Sequence, residues 1–405
     1  MVRKFFYSLL ARRHFWRYAS FSEVAELYVS RMLRTAAIYL VNAFISIYLY
    51  QIGYSILTIT LIWAAYFLLK ACIALPVARL VAWIGPKHAI LISNIVYIPA
   101  MIMFALVPNV GSWVLFPTFI LQAASMTMYL IAYTVDFSKV KSLTHAGKEI
   151  AYMNIFEKIT AGLCPVIGGF IAFLWGPQVV IILSSVLFLF AAMPLFRTNE
   201  QLRVKQRLTL RGFSWKILSR HMVAQVATGF DVFASGTMWS LYVAITIIGL
   251  ASGNKVYAIT GVLLSVVFVM AIIGSYTYGN LIDRRKGGEL MRVASIANAL
   301  THLVRPFVHS SVVVAGLNAA NELATTGYTL PYTRAVFDNA DLSGARITYL
   351  AFVETITNIG ASIAAVIMSI LLMMVSQDTA FHSFFFITAG VALLVLTARF
   401  PLYKK

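Results

Sequence analysis

Charge is what this chain has least of. Only 11% of its 405 residues are Asp, Glu, Lys or Arg, against 60% hydrophobic. A soluble chain carries roughly 25% charged residues, so a water-soluble enzyme or binding domain is excluded. Acid is scarcer than base, with 14 Asp and Glu against 32 Lys and Arg and a formal net charge of +18. Cysteine is almost absent: Cys72 and Cys164 both stand in apolar segments and imply no disulfide framework. Clustered metal ligands, a phosphate-binding loop and a nucleophile beside a base are missing from the sequence, so neither enzyme chemistry nor a cofactor is expected.

What the chain has in quantity is long apolar runs. Windows near 24–49, 55–81, 88–107, 112–134, 150–174 and 177–196 are each long enough to cross a bilayer. A second set follows near 219–249, 256–280, 289–306, 310–331, 346–375 and 379–398. Turn chemistry separates them, as at Gly85-Pro86, Pro108-Asn109 and Gly176-Pro177. The runs are too long for barrel strands and do not alternate, so the expected class is an all-α membrane protein with twelve transmembrane helices.

The cations then fall on one side. Of the 32 Lys and Arg, 26 lie in the two tails and the loops that share their face, and two, Lys255 and Arg305, lie on the other. Such an asymmetry places both termini in the cytoplasm, in a plasma or inner membrane. It makes anionic lipid the expected partner of the basic excess and leaves nucleic acid without a case. Residues 1–20 mix Arg3, Lys4, Arg12, Arg13 and Arg17 with Phe5, Phe6, Phe15 and Trp16, the pattern of an amphipathic helix on the cytoplasmic surface.

The sequence also repeats itself. Tyr133-Thr134-Val135-Asp136-Phe137-Ser138-Lys139 ends the fourth span and Tyr328-Thr329-Leu330-Pro331-Tyr332-Thr333-Arg334 the tenth. Tyr152, Glu157, Ile159 and Thr160 recur at the same offsets as Tyr349, Glu354, Ile356 and Thr357. The expected organisation is a six-helix half over 21–196, a basic linker over 197–218, a second half over 219–398 and a tail over 399–405.

With twelve spans, parallel halves and a basic central loop, the chain resembles the major facilitator superfamily of secondary transporters. That family carries a loop signature of the form G-x-x-x-D-R-x-x-G-R. Its second copy is recognisable from Gly279 through Asp283 and Arg284 to Gly287, while Ala82 and Trp83 stand where the first copy needs Asp and Arg. The resemblance implies that Asp283 latches onto a helix start near Lys148 to Tyr152, in the other half, when the cytoplasmic side closes. Cys164-Pro165-Val166-Ile167-Gly168-Gly169 is similar to the G-P-x-x-G-G element of proton-coupled exporters in that family, with Cys for the first Gly. A pivot for rocking bundles and plain helix packing are both open readings of it. The Arg that proton-coupled members place in the fourth span is absent here.

Each ionisable group inside a span costs roughly 2.5–3.5 kcal/mol on insertion scales and needs a reason to be there. Glu23, Glu26, Ser30 and Arg34 share one face of the first span. Asp231 holds the corresponding place in the seventh, with Ser235, Trp239 and Tyr242 on its face. Gln122, Ser125, Tyr129 and Tyr133 line up in the fourth span, and Asn318, Asn321, Glu322, Thr325 and Thr329 in the tenth. The resemblance implies that these four helices line a central cavity, so substrate binding is expected at Arg34, Gln122, Ser125, Tyr129, Asp231, Trp239, Asn318 and Asn321. Arg34 and Asp231 could instead bridge the halves. Proton coupling is expected at Asp231 and Glu322, the latter having no cation in its own span. Gating is expected at Gly279, Asp283, Arg284, Glu157, Glu354, Pro165, Gly168 and Gly169. Lys70 is expected to pair with an acid such as Glu157, while His302 and His309 read as interfacial. The four embedded cations Arg31, Arg34, Lys70 and Lys158 all belong to the first half, which suggests a cavity with one cationic and one acidic wall.

The expected function is transport of a small organic or amphiphilic solute by alternating access, coupled to protons and directed outward as an antiporter, by a monomer. A lipid or lysolipid transporter and a non-transporting sensor or scaffold are the alternatives.

Overall fold

The computed structural model describes residues 21–140, 146–196, 208, 210–249 and 253–403, with side chains except at 21–28, 136–156 and 195–196. The N-terminal segment 1–20, most of the linker before residue 210 and the side chains of Glu23 and Glu26 lie outside the described residues.

Among the described residues every regular element is helical. Helix α1 runs Phe21–Val41 and continues through a tight turn into Ile45–Gln51. The rest of the first half is α2 (Ile56–Ile84), α3 (Pro86–Ala105), α4 (Leu115–Val140), α5 (Ala146–Trp175) and α6 (Pro177–Ala192). The second half opens with α7 (Met222–Phe233), extended through two wide π-turns at Ala234–Met238 and Val243–Ile248. It continues with α8 (Lys255–Ser265 and Val267–Asp283), α9 (Gly287–Val304), α10 (Ser311–Leu342), α11 (Arg346–Met374) and α12 (Gln377–Ala392).

Sequence chemistry sets the breaks. At the two Gly-Pro junctions, Gly85 and Gly176 take φ of 91° and 90°, which a side chain would resist, and the proline opens the next helix where no N–H is needed. Ser55, Ser310 and Ser376 cap α2, α10 and α12 by accepting from the N–H three residues on.

Nine of the described segments are long and apolar enough to cross a membrane. The three other helices expected to span, α6, α9 and α10, fall short of that measure. Helix α6 is short, and α9 and α10 are diluted by the polar residues discussed below. Helix α10 also runs eleven residues beyond the apolar window that marks it in the sequence.

Packing repeats between the halves. Helix α1 lies on α5 and α6, α3 on α4 and α6, and α2 on α4; in the same order α7 lies on α11 and α12, α9 on α10 and α12, and α8 on α10. The halves meet along α2 with α11 and α5 with α8. Ser362 and Ser369 of α11 donate to the Ala64 carbonyl and to the Thr60 hydroxyl of α2, at 3.0 and 2.8 Å.

Glycine brings α5 and α8 close. A Cβ on Gly169 would lie 2.4 Å from the Tyr257 carbonyl oxygen, and one on Gly261 only 2.3 Å from that of Pro165. Gly168 does the same against α1, where a Cβ would meet the Leu40 oxygen at 2.4 Å. The Pro165–Gly169 element therefore sits where the halves touch.

Candidate functional site

One end of the bundle carries the basic residues Lys87, Arg284, Arg285, Lys286, Arg334, Arg346 and Arg399. The other end is sealed between the halves. There Gln51 at the end of α1 donates to the Gly253 carbonyl at 3.3 Å and accepts from the Tyr257 hydroxyl. Phe44 packs edge-on to Tyr257 with centroids 5.5 Å apart.

On the basic side of this seal is a cavity of about 170 Å³. Its wall comes from α4 (Leu130, Ile131, Thr134), α7 (Gln225, Thr228), α10 (Tyr328 to Phe337) and α11 (Leu350, Val353, Glu354). Three of the four helices expected to line it do so, and α11 stands in place of α1.

The polar residues expected on that wall lie elsewhere, each inside the bundle of its own half. Arg34 is wholly buried among α1, α3, α4 and α6. It donates to Ser93, Asn94 and Ser125, and its guanidinium lies 4.0 Å from the Tyr129 ring centroid. Ser125 donates in turn to the Ser93 carbonyl at 2.6 Å, and Gln122 donates to the Tyr97 hydroxyl at 2.7 Å. Among the described residues no carboxylate reaches Arg34, so hydroxyls, an amide oxygen and aromatic faces must stabilise its charge.

Asp231 occupies the matching place in the second half and is fully engaged. Its Oδ1 accepts from Ser235 at 2.7 Å and His302 at 2.9 Å, and its Oδ2 from Tyr328 at 2.7 Å and Asn298 at 3.0 Å. The proton positions follow from chemistry. Arg305 only donates, and its Nη1 lies 2.8 Å from His302 Nδ1, so that nitrogen accepts and Nε2–H points at Asp231. A neutral imidazole thus links a buried carboxylate to a buried guanidinium. Arg305 also donates to Ser235 and Asn321 at 3.0 and 3.2 Å. Trp239 donates to Asn318 at 2.7 Å, and Asn318 to the Leu263 carbonyl.

Three sequence expectations change here. Arg34 and Asp231 do not bridge the halves, because each is satisfied within its own. His302 is fully buried, not interfacial, and Arg305 is 1% exposed, not an outer-loop charge. The second half thus has an embedded cation of its own. Both residues were missed because the side chains of His302, in α9, and Arg305, just past its end, turn inward to partners on α7 and α10, which no hydropathy window can register.

The remaining embedded charges pair off. Lys70 of α2 meets Glu354 of α11 at 3.3 Å, and Lys158 of α5 meets Glu322 of α10 at 2.8 Å. Arg31 of α1 pairs with Glu157 of α5 and lies 3.6 Å from the Tyr133 ring centroid. Lys70 therefore does not take Glu157, because Arg31 already holds that acid. Glu322, with no cation in its apolar window, takes one from the opposite half. Both cross-half pairs put the cation on the first half and the acid on the second, but of these four residues only Glu354 lines the cavity, so the expected cationic wall is not found among the described residues.

Asp283, the last residue of α8, pairs at 3.3 Å with Arg334 of its own half. The side chains of Lys148 to Tyr152, its expected latch, lie outside the described residues. Gly279 is buried one turn before Asp283, and Arg284 caps the helix.

A sequence model described as Major Facilitator Superfamily matches residues 27–316. The chain belongs to this superfamily. Among solved structures, a point variant of the Escherichia coli fucose:proton symporter FucP aligns with a TM-score of 0.64 over 92% of this chain and 97% of its own, at 16% identity. FucP in the outward conformation aligns at 0.60 over 92% and 98%, at 15% identity. These likenesses establish a shared fold. No curated protein matches the sequence. The superfamily consists of transporters, not enzymes, and this major facilitator chain has its cavity where its two halves meet.

Proposed function

We propose that this chain is a proton-coupled secondary transporter that carries a small organic solute by alternating access between its two halves. The observation that carries this reading is the Lys158–Glu322 pair, 2.8 Å across the boundary between the halves. A proton on Glu322 cancels its charge and with it the attraction that holds α10 to α5. Such a bridge can make rocking depend on protonation. Glu322, not the fully engaged Asp231, is then the proton carrier, and Asp231 holds the interior of the second half. Lys70–Glu354 is a second cross-half bridge at the cavity wall, and Pro165, Gly168 and Gly169 form the contact on which the halves turn.

A cavity of about 170 Å³ lies below the range of drug-sized sites and suits a small solute better than a lipid. FucP is a fucose:proton symporter, so in that protein this fold works with a proton as the coupling ion; its sugar is not carried over. We place the basic end in the cytoplasm against anionic lipid and take the chain as a monomer. The Pro165–Gly169 element supports outward movement of solute against inward proton flow.

The test uses proteoliposomes loaded with a pH-sensitive dye and challenged with a panel of organic solutes. A transported solute moves protons in the wild type, and Glu322→Gln exchanges that solute without moving them. Solute flux indifferent to the pH gradient, and unchanged in Glu322→Gln, overturns the reading.

A further inference from the structure

Glu354 is the charged residue that lines the cavity. Its Oε1 accepts from Lys70 at 3.3 Å and from Asn358 at 2.7 Å. Among the described residues no hydrogen-bond partner reaches its Oε2, which keeps some exposure on a side chain that is 17% exposed.

A second acceptor stands on the neighbouring helix. Gln225 of α7, 5% exposed, donates through Nε2 to Thr357 Oγ1 at 2.6 Å. Thr357 gives its own proton to the Val353 carbonyl at 2.8 Å, so its oxygen is free to accept and the amide orientation is fixed. That leaves Gln225 Oε1 buried and without a partner, on the same cavity wall as Glu354. Two acceptors, one of them anionic, thus lack donors. The buried Gln225 oxygen is costly to leave unmatched, and a ligand that brings it a donor recovers that loss, whereas at Glu354 the ligand's donor takes the place of water.

The other walls agree. Tyr328, Tyr332 and Phe337 supply aromatic rings, and Leu130, Ile131, Val336, Leu350 and Val353 supply apolar surface. The hydroxyls of Thr134, Thr228 and Thr329 already donate to backbone carbonyls of their own helices. Lys70 is not part of the lining and approaches Glu354 through Oε1, so the cation lies behind the acid. An anionic head group entering this cavity would meet a carboxylate first.

From this geometry we propose that the solute carries a protonated amine, docked on Glu354 Oε2 and Gln225 Oε1 with its apolar body against the α10 aromatics. The ammonium supplies donors to both acceptors and leaves the Lys70 bridge intact. Aromatic rings around a desolvated cation add to its binding. This deepens the transporter reading and rests on the cavity being its solute site.

The test is binding to purified full-length protein in detergent, followed by calorimetry and thermal shift. The probes are 2-phenylethylamine, 2-phenylethanol and phenylacetate, which share an aromatic body and differ in head-group charge. The amine is expected to bind at least about tenfold more tightly than the alcohol, and phenylacetate more weakly than both. Glu354→Gln should erase the preference for amine over alcohol, Glu354→Asp should keep part of it, and Gln225→Leu should reduce it several-fold. Unliganded melting curves show that each variant is folded. An amine that binds no better than the alcohol, whether all three bind or none does, overturns the proposal, as does an unchanged preference in Glu354→Gln. Detergent binding needs no gradient, so amine preference without coupled transport sinks the transporter reading alone. Coupled transport of other solutes without amine preference sinks this one alone.

Discussion

Replacing Lys158 by Met removes the cation from Glu322 and leaves a carboxylate 9% exposed between the halves. At 2.8 Å and an effective dielectric of about 20, the gross attraction of the pair is about 6 kcal/mol. Desolvation of both groups offsets much of it, so the net worth of the pair against two neutral residues is small. Breaking it from one side is a different matter, because the surviving charge has lost its partner and cannot regain water; about 3 kcal/mol is expected. Thr326 still donates to Glu322 Oε1 at 2.8 Å, which keeps the loss from being larger. At roughly 2.1 cal/mol/K of unfolding entropy per residue, a chain of this size should melt about 3–4 °C lower. The double variant Lys158→Met with Glu322→Gln removes both charges and should melt within about 1 °C of wild type. Thermal melting of wild type, both single variants and the double variant in detergent closes the cycle. Losses that simply add, with the double variant lowest of all, would refute the reasoning, since additivity means the two side chains do not interact.

Three other outcomes follow from the same geometry. Asp231→Asn leaves Arg305 without its carboxylate and forces one amide N–H toward the donor hydrogens of His302, Tyr328, Ser235 or Asn298, so a loss of about 3 kcal/mol in thermal stability is expected; a variant as stable as wild type would contradict the network. Gly169→Ala sets a methyl 2.4 Å from the Tyr257 carbonyl and should pry α5 from α8 at the sealed end. A thiol probe introduced by Gln51→Cys should then be labelled several-fold faster than in the Gly169 background, and equal rates would mean that this contact does not close the seal. Arg34→Lys keeps the charge but not the fork that reaches Asn94 and Ser125 together, and should cost about 1–3 kcal/mol by thermal melting.

Much of the architecture was legible without coordinates. Apolar length marked the spans, Gly-Pro pairs marked two of the turns, and the matched strings after Tyr133 and Tyr328 announced the duplication that the packing repeats helix for helix. The site was legible only as an inventory. Arg34, Asp231, Glu322 and Glu354 were conspicuous because a charge in an apolar run is rare, yet their partners were not. Gln225 and Tyr328, which line the cavity, were not picked out as site residues, because an uncharged Gln or Tyr near the end of an apolar window carries no signal of burial.

The sequence by itself determined that this is an all-helical, many-span transporter-like chain with two related halves, because a bilayer fixes helix length and composition. Tertiary structure alone decided which charges meet. A helix presents several faces, and whether Arg34 turns into its own bundle or toward the other half depends on rotations and tilts set by packing glycines such as Gly168 and Gly169. The Asp231–His302–Arg305 chain exists because α9 and the turn at its end present His302 and Arg305 to α7, and Lys70 reaches Glu354 because α2 packs on α11. Hydropathy along one chain can place a charge in depth. Only the contact between helices can place it against its partner.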